Sequence, residues 1–492
     1  MMMQDTSSEK VCVVGTGIAG LVATKVLKAD GFEVVAFDKE ETIGGVWAPS
    51  RTYPGLRTNS PRELYEFSDF EYPKSADDFP TAPQVRNYLL SYADHFDLWK
   101  HIQLSTKVVS ISHQSENNDH SKPRYQVVVR SNGKSETHYF DYIAICNGVF
   151  SIPYIPQIEG QENFEGQILH SSQFTHSKAV ANKQVIVVGA GKSALDCATA
   201  AAEHAQSCKL VFRSARWSTP RYIFGIRYDK LFFSRFFEAF YRYHTPKGFE
   251  KILHGPAKPF VRFFWRFQSW FIRHYLKIPS KLVPEYPLPG KLDIGVGSDF
   301  YQAVHKGRAT LKKAEIESFR ESTTVQLTTG EKIKADVVIF ATGWQQKLDF
   351  LDPSIRNHIK QDGFFYLYRH ILPPDEPTIG FIGYAQSFSS ALTSEISAHW
   401  LSQHFRRELD LPNTAEMKKE IERVRQWSEE VFRPARGGYF IGPFVTHYID
   451  QLIDDMDLEV VRTNNLVREY LCSYTPKRYR SIHEERKQLR CS

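Results

Sequence analysis

Cysteine, long apolar runs and blocks of one charge are scarce in this chain, and each scarcity excludes a class of protein. Only six of its 492 residues are cysteines, and none forms a CxxC pair or a metal-ligand spacing. We therefore expect neither a disulfide framework nor a metal site. No run of about eighteen apolar residues occurs, so no membrane span is expected. The net charge is only +6, which does not suggest a nucleic-acid partner.

The N-terminus and the chain length lead to two further expectations. Met1–Lys10 is polar and lacks the apolar core of a secretory signal. Cys12 and Cys146 fall in apolar strand patterns, where a free thiol behaves as a small hydrophobe. Together these features predict a cytoplasmic protein in a reducing compartment. A chain of this length exceeds one ordinary hydrophobic core, so two or three domains are expected.

The most informative feature present is the glycine-rich turn Gly15-Thr16-Gly17-Ile18-Ala19-Gly20, which follows the apolar run Val11–Val14. In such turns the first glycine allows the tight bend and the second lets a pyrophosphate approach the backbone. The third lets the following helix pack on the strand, and the helix N-terminus attracts the phosphates. Asp38 lies 23 residues after Gly15, at the end of the predicted strand Glu33–Phe37, where a carboxylate binds ribose hydroxyls. The sequence predicts a dinucleotide site here.

A second turn, Gly189-Ala190-Gly191-Lys192-Ser193-Ala194, follows the apolar run Val185–Val188. A P-loop would need glycine where Ile186 stands, so the ATPase interpretation fails. Ala194 replaces the third glycine, which a dinucleotide turn tolerates. Two such turns, about one domain apart, predict two dinucleotides held face to face, as hydride transfer requires.

Arginines follow the strand after the second turn. The strand Lys209–Phe212 ends in Arg213, and Arg216 and Arg221 come soon after it. Arginine pairs with a 2′-phosphate that a carboxylate would repel, so this pattern predicts NADPH rather than NADH. The alternative is a solvated surface cluster without a ligand.

Between the turns, the segment Phe164–Phe174 (FEGQILHSSQF) resembles the FxGxxxHxxx(Y/F) fingerprint of the flavin-containing and N-hydroxylating monooxygenases. Other segments from about residue 10 to 455 resemble this family in the same order: Ile43–Trp47, Leu56–Ser60, Glu66–Phe70, Phe340–Trp344 (with Trp where the family has Tyr), Gly383–Ser390 and Thr393–Trp400. Baeyer–Villiger monooxygenases share the plan of two nucleotides, but their fingerprint ends in Trp followed by Pro or Asp. Phe174-Thr175 stands there instead, which argues against ester-forming chemistry.

The resemblance implies FAD at the first turn and NADPH at the second. It implies a monooxygenase that uses O2 to oxygenate a nucleophilic nitrogen or sulfur of a small organic substrate through a C4a-hydroperoxyflavin. The alternatives are a Baeyer–Villiger-type monooxygenase and an NADPH oxidase-like, uncoupled flavoenzyme. A flavin disulfide reductase would need a redox cysteine pair, which the chain lacks. A non-catalytic module is disfavoured because both turns and the fingerprint are intact.

The predicted fold class is α/β, with two dinucleotide-binding Rossmann-like domains and the smaller NADPH domain inserted into a discontinuous FAD domain. The expected parts are residues 1–176 and 334–473 for FAD, residues 177–333 for NADPH, and a flexible basic tail at 474–492. In this division the strand Ala335–Phe340 and the turn after it return the chain to the FAD domain.

The turns and the resemblance together predict the cofactor-binding residues: Gly15, Gly17, Ile18, Ala19, Gly20, Asp38, Lys39, Gly45, Val46, Trp47, Thr58, Asn59, Val108 and Gln386 for FAD, Gly189, Gly191, Lys192, Ser193, Ala194, Arg213 and Arg216 for NADPH, and Thr342 and Gly343 in the turn that returns the chain to the FAD domain. By resemblance, Asn59 is the catalytic side chain, placed near the flavin C4a edge. Its alternative role is a cap before a helix starting at Pro61-Arg62-Glu63. His170 is expected to be a structural residue at the domain junction. Lys192 stands where relatives often carry Asn, which leaves its contact with NADP open.

Residues 222–282 are unusually aromatic and basic. The pattern predicts a helix over Leu231–Arg242, and Phe260–Lys277 predicts another with Arg262, Arg266, Ser269, Arg273 and Lys277 in one stripe. Such a helix can pack on the enzyme, lining a substrate channel or a homodimer contact. It can also lie in a membrane interface as a peripheral anchor. The sequence allows both.

Overall fold

The computed structural model describes residues 9–114, 124–290, 294–296, 299–320, 322–432 and 439–491. Two five-stranded parallel sheets form its centre. The first contains the apolar run Val11–Val14, which is buried because helices cover both faces of such a sheet. In spatial order its strands are Ile379–Phe381, Tyr142–Ile145, Lys10–Val14, Glu33–Phe37 and Ile102–Gln103. Residues 1–8, which make up most of the segment tested for a signal, lie outside the described residues.

The second sheet confirms a second Rossmann-like unit but shifts its boundaries. In spatial order its strands are Ala309–Lys313, Ser207–Phe212, Gln184–Val188, Val337–Phe340 and Gln167–His170. The last two lie in segments that the sequence analysis gave to the FAD domain, so the expected boundaries at 176 and 333 are wrong. Both strands are apolar and short, and sequence alone does not tell which of two similar sheets such a strand joins.

The chain crosses between the two sheets twice, and the crossings pair with each other. Ile152–Pro153 on the outward path runs antiparallel to Trp344–Gln345 on the return path. The smaller unit is therefore inserted into the larger one, as predicted, through a paired two-stranded link.

Smaller sheets flank these two. One three-stranded antiparallel sheet contains Thr106–His113, Tyr125–Ser131 and Lys134–Phe140. Another contains Ile316–Phe319, Thr324–Leu327 and Lys332–Lys334. Two-stranded pairs join Trp217–Thr219 to Ile294–Val296, Tyr222–Ile223 to Ile226–Arg227, Lys360–Gln361 to Phe364–Phe365, and Ala385–Ser387 to Tyr439–Gly442.

The helices begin with Ile18–Ala29 and Lys192–His204, each of which follows a glycine turn. The remaining α-helices are Ala82–His95, Tyr228–Phe232, Arg235–Glu238, Phe249–Leu253, Lys258–Tyr275, Phe300–His305, Pro353–Ile359, Ser390–Phe405, Thr414–Val431, Val445–Asp455, Leu466–Leu471 and Ile482–Cys491. In the described part of the chain, none of the helices has both the length and the apolar character needed to cross a bilayer.

The aromatic segment, residues 222–282, differs from its prediction in its first half. The expected helix Leu231–Arg242 is wrong, because the chain breaks between the helices Tyr228–Phe232 and Arg235–Glu238. Phe233 leaves the helical path to stack on Phe388, with ring centroids 5.2 Å apart. The Ser234 hydroxyl then accepts the N–H of Phe237 and starts the second helix.

The helix Lys258–Tyr275 is found where expected, and its two faces differ. Val261, Trp265 and Ile272 are buried against the smaller domain. The opposite side exposes four aromatic rings: Phe260, Phe263, Phe267 and Trp270. Ser269, predicted in the basic stripe, is instead buried and accepts the N–H of Leu288. The segment therefore packs on the enzyme and also presents an exposed aromatic and basic face.

The tail at 474–492 was expected to be flexible, and this is wrong for the described residues up to 491. Tyr479 and Ile482 are buried, and Arg486 is 1% exposed inside the helix Ile482–Cys491. The guanidinium of Arg486 reaches the buried carboxylate of Asp30 at 2.7 Å. A basic composition suggested a solvated tail, because the spacing of residues gave no sign that its partner is a buried acid 456 residues earlier in the chain.

Candidate active site

The first glycine turn is built by close backbone contacts. Gly15 has φ +103°, and a Cβ there would lie 2.7 Å from the carbonyl oxygen of Cys146. A Cβ on Gly20 would lie 1.8 Å from the carbonyl oxygen of Gly15, so the third glycine lets helix pack on strand as predicted. Gly17 faces Gly45, whose Cβ would come within 3.2 Å of the Cα of Gly17. Two glycine-bearing segments thus approach each other directly.

A cavity of about 460 Å³ opens from this turn, a size typical of cofactor sites. Eleven of the predicted FAD residues line it: Gly15, Gly17, Ile18, Ala19, Asp38, Lys39, Gly45, Val46, Trp47, Val108 and Gln386. Gly20, Thr58 and Asn59 do not. Other lining residues were not predicted from the sequence, among them Arg51, Tyr65, Asn147, Lys347, Ser390 and Ser394. Lys347, for example, carries no motif, because it reaches the wall through tertiary folding.

Asp38 lies at the cavity wall, and its carboxylate also holds the turn. Its Oδ2 accepts the backbone N–H and the hydroxyl of Thr16 at 2.7 and 2.8 Å, and its Oδ1 accepts the N–H of Glu40. Thr16 was not predicted from the sequence. A hydroxyl residue inside the turn, followed by an acid at the end of the next strand, is a pattern that could have predicted this contact. Asp38 therefore fixes the turn from the position expected of a ribose ligand.

Thr58 and Asn59 stand beside the cavity rather than in it. Thr58 is 1% exposed, and its Oγ1 finds no hydrogen-bond partner among the described residues. Asn59 is exposed. The short helix Arg62–Leu64 is capped at Pro61 without a side-chain hydrogen bond within the described structure, which does not support the capping role for Asn59. The Ser60 hydroxyl donates to the carbonyl of Phe388, next to the lining segment.

Tyr65 and Trp47 shape the same side of the cavity. The Trp47 indole N–H donates to the Tyr65 hydroxyl at 3.2 Å, with the rings edge to face. Burial raises the pKa of Tyr65, so the phenol is neutral and stays a hydrogen-bonding group. Neither residue can act as a base there at neutral pH.

The second glycine turn has a similar backbone but different neighbours. Gly189 has φ +129°, and a Cβ there would lie 2.6 Å from the carbonyl oxygen of Ala341. A Cβ on Gly191 would come within 3.3 Å of the Arg216 guanidinium, so Arg216 lies over the turn. Ala194 is fully buried beneath Gly189, which shows that a methyl group fits in place of the third glycine.

Arg213 and Lys192 have unlike surroundings. The Arg213 side chain is 75% exposed, with the carboxylate of Glu315 no closer than 3.9 Å. The Lys192 side chain is only 13% exposed and is ion-paired with Asp196, one helical turn later. Burial lowers the pKa of Lys192, while Asp196 opposes that shift. The structure thus gives the Lys192 ammonium a protein partner rather than leaving it directed at a phosphate.

The fingerprint residues pack at the domain junction. His170 is fully buried; its Nδ1 accepts the N–H of Ser172, and its Nε2 lies 3.0 Å from the Gly343 carbonyl oxygen, to which it donates. Burial lowers the pKa of His170, which keeps it neutral. The Thr342 hydroxyl donates to the carbonyl of Tyr154. His170 is therefore structural, as expected, while Thr342 and Gly343 hold the crossing and do not line the cavity.

The residues of the first site fit FAD. The glycine cradle leaves room for a diphosphate, the helix Ile18–Ala29 starts without a side-chain cap within the described residues, and Thr58 offers an unpaired hydroxyl. The second turn fits a phosphorylated coenzyme, because Arg216 lies over it and Arg213 follows the strand end.

Comparisons with known proteins agree with this geometry. The family model "Flavin-binding monooxygenase-like" matches residues 8–471. "Probable flavin-containing monooxygenase 1" of Arabidopsis thaliana is 29% identical, with 98% of each chain covered. Among solved structures, S-allyl-L-cysteine S-oxygenase from Allium sativum gives a TM-score of 0.64 at 19% identity, covering 98% of this chain and 93% of that one. NADP⁺-bound cyclohexanone monooxygenase from Rhodococcus sp. Phi1 gives 0.68 at 20%, covering 91% and 97%. At these identities the structures share the fold.

Proposed function

We propose that this chain, which belongs to the flavin-binding monooxygenase-like family, oxygenates a nucleophilic nitrogen or sulfur of a small organic substrate. Membership makes it a flavin-dependent monooxygenase with FAD and NADPH as cofactors. The observation that carries the proposal is the pair of glycine turns, in separate sheets, joined by the paired crossings beside one large cavity.

FAD would supply the redox and oxygen-transfer chemistry when bound, while residues of the chain bind and orient the cofactors and exclude water. The cradle of Gly15, Gly17 and Gly45 is suited to the FAD diphosphate, and the cavity wall at Val108 and Gln386 to its rings. The walls are mostly apolar, which protects the reacting groups from water. No general base is needed from the chain for this chemistry.

Asn59 is proposed as the side chain that hydrogen-bonds the reacting oxygen. Its amide is exposed, and Ser60 next to it is tied to Phe388, between the cavity-lining residues Gln386 and Ser390. This connection supports a position for Asn59 near the rim of the cavity, where an amide can donate to a developing negative charge.

Asn59→Asp tests this role. A carboxylate cannot donate and adds negative charge where negative charge develops, so productive oxygenation should fall about a hundredfold. Flavin content and the rate of flavin reduction should stay near wild type, because neither glycine turn is altered. The measurements are product formation and hydrogen peroxide released per NADPH consumed. The exposed Asn357→Asp serves as control; normal coupling in Asn59→Asp would remove Asn59 from the mechanism.

Arg213 and Arg216 are proposed to bind the phosphates of NADPH. Arg213 follows the strand Ser207–Phe212, the place that Asp38 takes after Glu33–Phe37 in the first unit. A 2′-phosphate at that point would meet an exposed guanidinium instead of a carboxylate. Arg216, over the turn, is suited to the pyrophosphate.

The proposed setting is cytoplasmic, with peripheral membrane contact through the aromatic segment. Phe263, Phe267 and Trp270 are each more than half exposed, and the exposed Arg262, Arg266 and Arg273 lie on the same helix. Such a face matches an anionic lipid surface. Cosedimentation with anionic and neutral vesicles, comparing wild type with a variant carrying Phe263→Ser and Trp270→Ser, tests this. Loss of a homodimer in that variant, without vesicle binding by wild type, would point to a protein contact instead.

The activity itself is tested with purified protein. NADPH should bleach the flavin absorbance and air should restore it. NADPH consumption should rise with amines or sulfides, and product mass should increase by one oxygen. NADPH consumption that yields only hydrogen peroxide with every substrate would favour the uncoupled oxidase. Ester formation from ketones would favour Baeyer–Villiger chemistry.

A further inference from the structure

A loop of the larger domain is wedged into the smaller one beside the second glycine turn. Tyr53 belongs to the chain between the short helix Pro49–Arg51 and Asn59, yet it packs within the hydrophobic cluster of the smaller domain, with Phe174, Ala194 and Leu169. It is 9% exposed. The loop that leads to Asn59 therefore uses the smaller domain as its support.

The hydroxyl of Tyr53 is held by the helix that starts at that turn. It donates to Oδ2 of Asp196 at 3.2 Å, and the same oxygen is ion-paired with the Lys192 ammonium. The Asp196 side chain is 11% exposed. Burial raises the pKa of Tyr53, and the negative charge of Asp196 adds to this, so the phenol keeps its proton and remains a donor.

The position of Lys192 is unfavourable for a cation unless its ammonium neutralises the charge of Asp196. It is the first residue of the helix Lys192–His204, where the helix dipole disfavours a cation, and its side chain is only 13% exposed. Without Lys192, Asp196 would be a largely buried carboxylate without its cationic partner. The lysine thus balances the charge that accepts the hydrogen bond from Tyr53.

The position of the contact gives it a consequence for the reaction. Asp196 lies one turn into the helix whose N-terminus receives the coenzyme phosphates. Tyr53 lies six residues before Asn59, and the N–H of Leu56 bonds to the carbonyl of Tyr53 within the intervening turn. The hydrogen bond from Tyr53 to Asp196 therefore connects the coenzyme-binding helix to the loop that leads to Asn59.

We propose that Tyr53 is a positioning residue: its hydrogen bond to Asp196, charge-balanced by Lys192, fixes the coenzyme-binding helix against the flavin domain in the alignment that hydride transfer requires. This inference rests on the proposed function. It assigns Lys192 to domain alignment rather than to a phosphate of NADPH.

Tyr53→Phe removes only the hydroxyl and leaves the packing in place. The limiting rate of flavin reduction at saturating NADPH, measured by anaerobic stopped-flow, should fall about tenfold, the lower range for losing a hydrogen bond to a charged group. Flavin content, melting temperature and the Kd for NADPH should stay near wild type. The matched control is Tyr222→Phe. The Tyr222 hydroxyl also donates to an aspartate across the two domains, Asp78 of the larger one, but Tyr222 is exposed.

A double-mutant cycle separates alignment from general structure. Lys192→Met with Asp196→Leu replaces the ion pair by neutral side chains, and reduction should slow as in Tyr53→Phe. Adding Tyr53→Phe should cause no further loss, because the groups act as one unit. Additive losses would overturn the proposal. The proposal would also be overturned by an unchanged rate of flavin reduction in Tyr53→Phe, or by a Kd for NADPH raised by about tenfold in that variant. Wild-type flavin that NADPH does not bleach would instead refute the proposed function.

Discussion

The two glycine turns share a sequence pattern but differ in what surrounds them. At the first turn, Gly17 faces Gly45 of the same domain, and the turn opens into the 460 Å³ cavity. At the second, Gly191 faces the guanidinium of Arg216, and the next residue is a buried lysine paired with Asp196. One turn is enclosed by its own domain, whereas the other borders the junction of two domains.

The two turns also differ in the residue that follows the next strand along the chain, which is Asp38 in the first unit and Arg213 in the second. Asp38 is 7% exposed and is bonded to its own glycine turn through Thr16. The Arg213 side chain is 75% exposed, and its guanidinium lies 3.9 Å from the Glu315 carboxylate. An enclosed site with internal hydrogen bonds suits a cofactor that stays bound, and an open site with cations suits a coenzyme that exchanges. The surroundings of the two turns are therefore suited to two different kinds of binding.

The largest effect is expected from Gly17→Val. A Cβ on Gly17 would already lie 3.5 Å from the Cα of Gly45, so the two methyl groups of valine would extend into the cradle suited to the diphosphate and FAD should be lost. Because bound FAD stabilises the native state, by about 2.7 kcal/mol if flavin is normally at a hundred times its Kd, the colourless variant should also melt at a lower temperature. Flavin absorbance and the melting temperature are the measurements. Gly191→Val is the matched change in the second turn and should stay yellow while losing reduction by NADPH.

A yellow Gly17→Val protein would mean that the first turn does not hold FAD. A colourless Gly191→Val protein would mean that the two turns do not act separately.

The next effect concerns the far end of the helix that starts at the first turn. This helix ends at Ala29, and the following Asp30 is buried and ion-paired with Arg486 and Arg490 of the tail. Arg486→Met should cost about 3–5 kcal/mol, because it leaves a buried carboxylate poorly compensated. The control, Lys487→Met on the same helix, removes an exposed ion pair and should change little. Thermal unfolding of both variants, with flavin content recorded, checks this. Equal melting temperatures of Arg486→Met and Lys487→Met would show that the ion pair between Arg486 and Asp30 adds no stability.

Local sequence patterns predicted the parts of the fold that local interactions build. The two turns, the strands Lys10–Val14 and Gln184–Val188 and the helix Ile18–Ala29 follow from apolar runs and glycine spacing. Long-range pairing was not predictable in the same way. The tail depends on Asp30, more than 450 residues away in sequence, and its basic composition gave no sign of that partner.

The candidate site shows the same division. Residues within motifs, such as Gly15 and Asp38, lie at the cavity as predicted. Lys192 was predicted from its place in a motif, but its ammonium is paired with Asp196, whose carboxylate also accepts the hydrogen bond of the distant Tyr53. Lys347 reaches the cavity without any motif. Motifs indicate where a backbone can bind, whereas side-chain partners depend on packing between domains.

Coenzyme preference is expected to show a smaller effect, which separates the two arginines. Arg213→Ala should lower the ratio of kcat/KM for NADPH to that for NADH by about tenfold to a hundredfold, because one charge-assisted contact is lost. Arg216→Ala should raise KM for both coenzymes and leave the ratio nearly unchanged. Arg308→Ala, a similarly exposed arginine, is the control. An unchanged ratio in Arg213→Ala would show that Arg213 does not bind the 2′-phosphate.

The smallest effect is a pH dependence at the contact that ties the aromatic segment to the larger domain. His447 lies between two carboxylates, with Nδ1 2.6 Å from Glu238 and Nε2 2.5 Å from Glu250. Burial alone would lower the pKa of His447, but the hydrogen bonds and charges of Glu238 and Glu250 outweigh it and raise the pKa to about 10. The folded-state pKa is thus above the usual value, so this stabilisation is fully present below pH 6.5 and is lost as the pH rises towards 10. The melting temperature of wild type should therefore fall by a few degrees between pH 7.5 and 10, and His447→Gln should show a shallower fall from a lower starting point. Parallel curves for the two proteins would show that His447 does not carry the proton that binds the aromatic segment to the flavin domain.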